Sequence, residues 1–262
     1  MYGALIGDIA GSRFEFNNFR SKDFELFSKN DFFTDDSVMT IAVAKALSVS
    51  KGNGYADLED QLYHYMHEIG RRYPDSGYGG NFYYWIMNGE TKPYNSFGNG
   101  SAMRTSACAW FAETLEECLD LARRCASVCH DHPEGIKGAK AVSACIWLAR
   151  EGKSKDAIRD YVKENYYDLD FTLDEIRPSY RFDETCQGSV PQAIEAFLES
   201  KDFEDAIRNA ISIGGDSDTI AAITGSIAEG FYGIPEGFKE KVDSYLDPYL
   251  KEKLSEVLSH LS

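Results

Sequence analysis

The sequence predicts an all-α fold, a compact single-domain orthogonal bundle of about a dozen helices. Three observations carry this. Apolar residues recur at three- and four-residue intervals through most of the chain, as in Leu58, Leu62, Tyr65, Met66 and Ile69. No segment alternates apolar and polar residues convincingly enough for a half-buried strand, and no unit repeats at a fixed period. With 262 residues, 43% of them hydrophobic, the chain can bury one large core.

The first helix is read over Gly3 to Ser12, where small and apolar residues alternate and the glycines let a second helix approach closely. Residues 17–33 are aromatic and polar without clear period and read as a loop, long enough to serve as a functional cover. A helix over 36–50 follows, then the turn Lys51-Gly52-Asn53-Gly54 and a helix from Ala56 to Tyr73. The stretch Tyr73-Pro74-Asp75-Ser76-Gly77-Tyr78-Gly79-Gly80 is too rich in glycine for a helix and reads as a rigid turn. Asp75 there is either plain turn chemistry or part of a site. Further helices are read over Glu113 to Val128, Lys137 to Arg150, Ser154 to Asn165, Val190 to Leu198, Phe203 to Ile211, Asp218 to Tyr232 and Phe238 to Leu261. Pro133, after His130-Asp131-His132, stands at a favoured first helical position. Residues 166–187, of mixed polarity, are the least regular.

Two short stretches place paired acids at helix starts. Gly214-Gly215-Asp216-Ser217-Asp218-Thr219 runs into Ile220 to Tyr232, and Thr34-Asp35-Asp36-Ser37 runs into Val38 to Ala44. In the first, two glycines bend the backbone, and Asp216, Asp218 and the Thr219 hydroxyl converge on one point. Hard oxygen donors without sulfur suit magnesium, manganese or calcium rather than zinc. The alternative is capping, since Ser and Asp accept bonds from free helix N–H groups and offset the dipole. One Asp suffices for a cap, however, and adjacent carboxylates repel unless a cation lies between them. Two stretches of one design therefore imply a shared site. The donors Thr34, Asp35, Asp36, Asp216, Asp218 and Thr219 fit a pair of magnesium-type ions in a central di-metal cleft better than one ion.

Ser96-Phe97-Gly98-Asn99-Gly100-Ser101-Ala102-Met103-Arg104 is the best anion-binding candidate. Gly98 and Gly100 permit close backbone approach, N–H groups and Ser hydroxyls can meet phosphate oxygens, and Arg104 supplies charge at the following helix start. Phe97 can stack on a base. The stretch lacks a P-loop ending and a dinucleotide fingerprint, and a plain glycine turn into a helix is the alternative. Glu15, between Phe14 and Phe16, is either a surface acid at a helix end or one whose pKa apolar surroundings raise toward neutrality. His130 either meets a phosphate or hydroxyl or packs between two helices.

Six cysteines, at 108, 118, 125, 129, 145 and 186, are expected as reduced thiols. Cys125, Cys129, His130 and His132 do not make a zinc site, because His130 faces about 100° away from the two cysteines on a helix. Net charge is −16, from 27 basic and 43 acidic residues, which argues against a broad nucleic-acid or anionic-membrane surface. No signal-like start opens the sequence and no segment reaches about 18 uninterrupted apolar residues, so the expectation is a soluble, cytoplasmic monomer.

Gly3 to Glu15, Thr34 to Ser37, Ser96 to Arg104, His130 with Gly138-Ala139, and Gly214 to Gly233 occur in one order along the chain. That order resembles the ADP-ribosylglycohydrolase family, which includes the dinitrogenase-reductase-activating glycohydrolases. The resemblance implies a compact all-α domain with two magnesium or manganese ions that cleaves the bond between ADP-ribose and a modified acceptor. It implies that Thr34, Asp35, Asp36, Asp216, Asp218 and Thr219 are metal ligands and that Glu15 is the acid near the scissile bond. Glu15 and Asp36 are the expected catalytic residues. Ser96, Phe97, Gly98, Asn99, Gly100 and Ser101 resemble the loop holding diphosphate and adenosine, with Phe97 on adenine, and His130 matches a ligand-contacting histidine. Asp75 matches loosely an Asp of arginine-directed members. ADP-ribose or an ADP-ribosylated substrate is thus the expected partner. An ADP-ribose-binding protein or a crystallin-like relative without catalysis is the alternative; the first would keep the glycine loop while losing a metal ligand or Glu15, and the second has no reason to keep paired carboxylates.

Overall fold

The computed structural model describes residues 1–261. In chain order its helices are α1 (Tyr2–Gly11), α2 (Asp35–Ser50), α3 (Leu58–Gly70), α4 (Gly80–Asn88), α5 (Gly100–Met103), α6 (Ser106–Phe111), α7 (Leu115–Ser127) and α8 (Pro133–Arg150). They continue with α9 (Lys155–Asn165), α10 (Leu173–Ile176), α11 (Cys186–Leu198), α12 (Phe203–Ser212), α13 (Ser217–Tyr232), α14 (Phe238–Tyr245) and α15 (Pro248–Leu258). Short 3₁₀ turns, Ser12–Phe14 and Lys51–Asn53, extend α1 and α2. Among the described residues there is no strand, only an isolated antiparallel bridge between Gly98 and Thr185.

The centre is the pair α1 and α13. Every residue of α1 is buried, as are Ser217 to Ala228 of α13. Gly3, Gly7 and Gly11 recur every four residues and so share one face of α1. That face lies directly on the α13 backbone: a Cβ on Gly7 would stand 2.0 Å from the Ala221 carbonyl oxygen, and one on Gly3 would stand 2.1 Å from that of Gly225. On Gly11 it would stand 2.6 Å from the Asp218 Cα. Helices α8, α11 and α12 pack on α13, α2 packs on α1, and α3 and α15 pack in turn on α2. The buried apolar side chains form one continuous cluster.

The helix edges depart from the sequence reading where a local cause acts. The single C-terminal helix expected over Phe238 to Leu261 is two, because Asp247 accepts a bond from the Leu250 N–H at 2.9 Å and Pro248 opens α15. The helix expected from Val190 begins four residues earlier, at Cys186, where the Thr185 hydroxyl accepts from the Gly188 N–H at 3.1 Å. Neither α4 nor α6 is legible in the periodicity. In α4 the run of bulky aromatics conceals a face of Phe82, Trp85 and Ile86 that is buried at helical spacing. Residues 166–185 are irregular apart from the single turn α10, whose Thr172 and Glu175 form a capping box, and the last two residues of the stretch read as irregular open α11.

Gly7→Val tests the central contact. The added side chain meets backbone on both flanks, so urea unfolding should show a loss of about 3 kcal/mol or more. Gly52→Ala, with nothing within 4 Å of its Cβ, should move stability by less than about 1 kcal/mol. Equal stability of Gly7→Val and the parent would remove the glycine face from its place at the centre.

Candidate active site

The acid-rich stretches meet because α1 brings its one carboxylate to the start of α2. Asp8 is fully buried, and both its oxygens are used. The Thr34 hydroxyl donates to Oδ1 at 2.7 Å, and the backbone N–H groups of Thr34 and Ser37 each donate to Oδ2 at 3.0 Å. The Ser37 hydroxyl donates to Oδ2 as well. Asp8 therefore caps α2 from outside, and the Thr34 oxygen caps it from within by accepting from the Asp36 N–H at 3.3 Å. Thr34, expected as a ligand, thus has its hydroxyl engaged between Asp8 and α2.

With capping done by these two groups, Asp35 and Asp36 are free of it. Asp36 is buried; its Oδ2 accepts from the Thr219 hydroxyl at 3.0 Å, and its Oδ1 has no partner. Asp35 lines the open cleft, its N–H held by the Ser76 carbonyl at 2.8 Å. Its Oδ1 lies 3.2 Å from where a Cβ on Gly77 would stand, and Gly77 has a φ of +106°. The glycine in that turn clears space beside the acid.

The second stretch is arranged the same way. Gly214 and Gly215 have φ of +74° and +79°, a turn open to glycine but strained for other residues. Asp216 occupies the N-cap position of α13 yet makes no capping bond; its Oδ2 instead accepts from the Asn99 amide at 2.7 Å. Asp218 Oδ1 is buried without a partner. Carboxylate oxygens of Asp8, Asp36 and Asp218 lie within 4.8 Å of one another, as do those of Glu15, Asp216 and Asp218. Two buried acceptor oxygens without donors, among carboxylates this close, are what a hard cation bound here would satisfy.

Burial first, then the charges of Asp8 and neighbouring acids, pushes Asp35 and Asp36 well above the usual carboxylate range. Burial and then Asp216 and Asp36 do the same to Asp218. Asp216 is raised by burial while the Asn99 amide holds it down. Glu15, half-buried just past the 3₁₀ turn, is pushed up to about 7 by burial and by Asp216 and Asp8. It lines the same cleft as Asp216, Asp218 and Thr219.

The glycine loop lines the same cleft. Ser96, Gly98, Asn99 and Gly100 line it, as do His130, Tyr94, Phe82 and Met103. The loop is pinned to residues 184–186: the Asn99 N–H donates to the Glu184 carbonyl at 2.8 Å and the Cys186 N–H to the Phe97 carbonyl at 2.9 Å. A Cβ on Gly100 would meet only the His130 ring, with Nε2 3.4 Å away, and one on Gly98 would stand 3.4 Å from Ser96 Oγ and 3.6 Å from both the Glu184 carbonyl and His130 Nε2. His130 is buried and held neutral by burial and by Arg104, with Nδ1 3.1 Å from Cys129 Sγ.

Four residues stand elsewhere than the motif reading placed them. Arg104 does not open a helix toward the cleft. It ends α5 and turns into the core, fully buried, with one guanidinium nitrogen 3.0 Å from Cys129 Sγ and its charge 5.3 Å over the Phe82 ring. The Ser101 hydroxyl also points inward, 2.8 Å from the Gly135 carbonyl. Phe97 lies outside the cleft lining and is 43% exposed, edge-on to His132 at 5.1 Å. Asp75 is exposed on the surface and not part of the lining. In each case a loop motif sets the backbone path, but packing decides where the side chain turns.

The sequence profile of the ADP-ribosylglycohydrolase family matches residues 1–261. The chain belongs to that family. ADP-ribosylglycohydrolases are hydrolases acting on glycosyl bonds, and this chain is such an enzyme. It is 25% identical over 277 residues to human ADP-ribosylhydrolase ARH3, covering 82% of this chain and 75% of the relative. It is 24% identical over 243 residues to the ADP-ribosyl-[dinitrogen reductase] glycohydrolase of Rhodospirillum rubrum, covering 86% and 79%. A solved structure described as an ADP-ribosylglycohydrolase-related protein complex superposes with a TM-score of 0.73 at 20% identity, over 99% of this chain and 94% of that one. The all-α class is the family's fold, and no helix among the described residues is long and apolar enough to cross a membrane.

Several residues of the cleft and its carboxylate cluster escaped the motif reading in this ADP-ribosylglycohydrolase. Asp8 had one signal, a lone carboxylate inside a stretch otherwise small and apolar. Phe182 and Glu184, which line the cleft, lie in the irregular stretch 166–187 and carried no signal of their own.

The carboxylate cluster makes stability depend on pH in a direction opposite to ordinary salt-bridged acids. A raised folded-state pKa contributes stability fully present below the unfolded value and lost as pH rises through the folded one. For Glu15 that window runs from the ordinary 4.5 to about 7. Chelated protein should therefore melt higher near pH 5.5 than near pH 7.5, at roughly constant ionic strength. Magnesium at about 100 times its dissociation constant should raise the melting temperature by about 5–10 °C at the higher pH and less at the lower, where protons compete. Asp36→Asn with Asp218→Asn should flatten both responses. An ion-free melting temperature that rises with pH would count against the cluster.

Proposed function

We propose that this enzyme hydrolyses the glycosidic bond between ADP-ribose and a modified acceptor, with two magnesium or manganese ions held by Asp35, Asp36, Asp216, Asp218 and Thr219. The observation that carries the reading is the pair of donorless buried oxygens, on Asp36 and Asp218, beside Glu15 at one end of a glycine-walled cleft. Bound there, the ions supply Lewis acidity to ribose hydroxyls and water.

The chain's own groups do the rest. The absent side chains of Gly98 and Gly100 leave room for diphosphate oxygens against the backbone, where the Ser96 hydroxyl already accepts from the Gly98 N–H at 3.2 Å. Neutral His130 offers a ring nitrogen to the ligand without adding charge. Phe82, Tyr94 and Met103 give the far end an apolar wall suited to adenosine. In the reaction the bond from the ribose anomeric carbon to the acceptor atom breaks, and the oxygen of water bonds to that carbon. Glu15, poised near neutrality, takes the proton from that water and passes one to the departing atom. Positive charge developing on the sugar is stabilised by the surrounding carboxylates. Asp36, buried and bonded to Thr219, holds the water side of the site in place.

The acceptor lies on the Glu15 side, where the rim is aromatic and acidic. Phe16, 86% exposed, stacks on Phe182 with centroids 6.1 Å apart, and Glu184 lines the cleft beside them.

Glu15→Gln preserves shape and hydrogen bonding but cannot exchange a proton. Release of ADP-ribose from arginine- and serine-linked substrates in magnesium should fall by about 10²-fold or more, while calorimetric affinity for free ADP-ribose changes less than about threefold. Equal losses in turnover and affinity would make Glu15 a binding group instead.

A further inference from the structure

We propose that Asn18 is a positioning residue that sets where the Glu15 carboxylate stands relative to Asp216 and Asp218. The inference rests on the assignment of Glu15 to proton transfer. Glu15 closes a 3₁₀ turn, and such an end leaves carbonyl oxygens without partners in the helix. The Asn18 amide nitrogen lies 2.8 Å from the Phe14 carbonyl and 2.9 Å from that of Glu15. The same nitrogen lies 2.9 Å from the Gly215 carbonyl, and Asn18 Oδ1 accepts from the Gly215 N–H at 2.9 Å. One side chain thus grips the backbone of the acid and the backbone of the residue preceding Asp216.

The turn is shaped to admit it. Gly214 and Gly215 both have positive φ, and a Cβ on Gly214 would stand 3.0 Å from Asn18 Oδ1. The amide has two hydrogens for three carbonyls, so its oxygen is needed to fix it on Gly215 while the nitrogen is shared on the Glu15 side. Asp in its place lacks the donor, and Ala lacks both groups.

Asn18 is itself exposed, so water can replace its bonds in energy but not in direction. The fold of this segment has a separate anchor. The Arg20 guanidinium donates to the Ile213 carbonyl at 2.7 Å and the Tyr180 carbonyl at 2.5 Å, and also to that of Arg177. Loss of Asn18 should therefore free Glu15 without unfolding the segment, and misplacing a reacting group by about 1 Å can cost about 10²-fold in rate.

The test compares Asn18→Ala and Asn18→Asp with the parent on the arginine- and serine-linked substrates at saturating magnesium. Turnover should fall about 10- to 100-fold with KM and the calorimetric Kd for ADP-ribose changed less than about threefold. In the Glu15→Gln background Asn18→Ala should lower the residual rate by less than about threefold, because both substitutions remove one function. A crystal structure of Asn18→Ala should show the Glu15 carboxylate displaced from Asp216 by about 1 Å or more. Parental turnover at saturating magnesium, a loss confined to KM, losses that multiply with Glu15→Gln, or an unmoved Glu15 would each overturn the proposal. Full activity of Glu15→Gln alone would instead overturn the proton-transfer assignment on which it rests.

Discussion

Backbone-to-backbone contact between α1 and α13 is the constraint on which the site depends. Helices usually pack at 8–10 Å with side chains between them, but a glycine face removes that layer on one side. The gain is positional. Gly11 abuts Asp218, and Asp8, one position after Gly7, emerges where α2 begins. The carboxylates of three elements are thereby concentrated at one place, at an electrostatic cost that the packed core around them sustains.

Within that concentration the acids divide by what already satisfies them. Asp8 is saturated with hydrogen bonds and acts on the protein itself, fixing the start of α2. Asp36 and Asp218 keep an oxygen in reserve. Sequence spacing cannot show this difference, because an Asp at a helix start is a cap or a ligand according to whether another group has taken the cap. Here Asp8 and Thr34 took it at α2, and at α13 Asp216 is drawn to Asn99 instead.

The all-α class, the main helices and the convergence of the two acid-rich stretches were legible in the sequence, since each rests on local periodicity or on glycine and acid at a helix start. What was not legible depends on packing at a distance. Arg104 follows a glycine loop and so reads as a phosphate partner, yet α5 is a single turn and the residue after it rotates into the core toward Cys129. Phe97 and Asp75 belong to the right segments but face outward. Asn18 looks like one polar residue among many in an irregular stretch; its place between the Glu15 turn and Gly215 becomes visible only once Gly215 is set beside it.

The bridge between Gly98 and Thr185 has a consequence for how such an enzyme diversifies. It ties the glycine loop to the end of a stretch, 166–185, whose one regular element is the single turn α10. Lengthening a loop costs little, since closure entropy grows only with the logarithm of its length. Insertions upstream of Phe182 can therefore accumulate while Glu184 stays fastened at the cleft. The glycine loop and the cleft-lining Glu184 are thus held by one short pair of backbones, so the residues before it can change in length without disturbing the walls of the cleft.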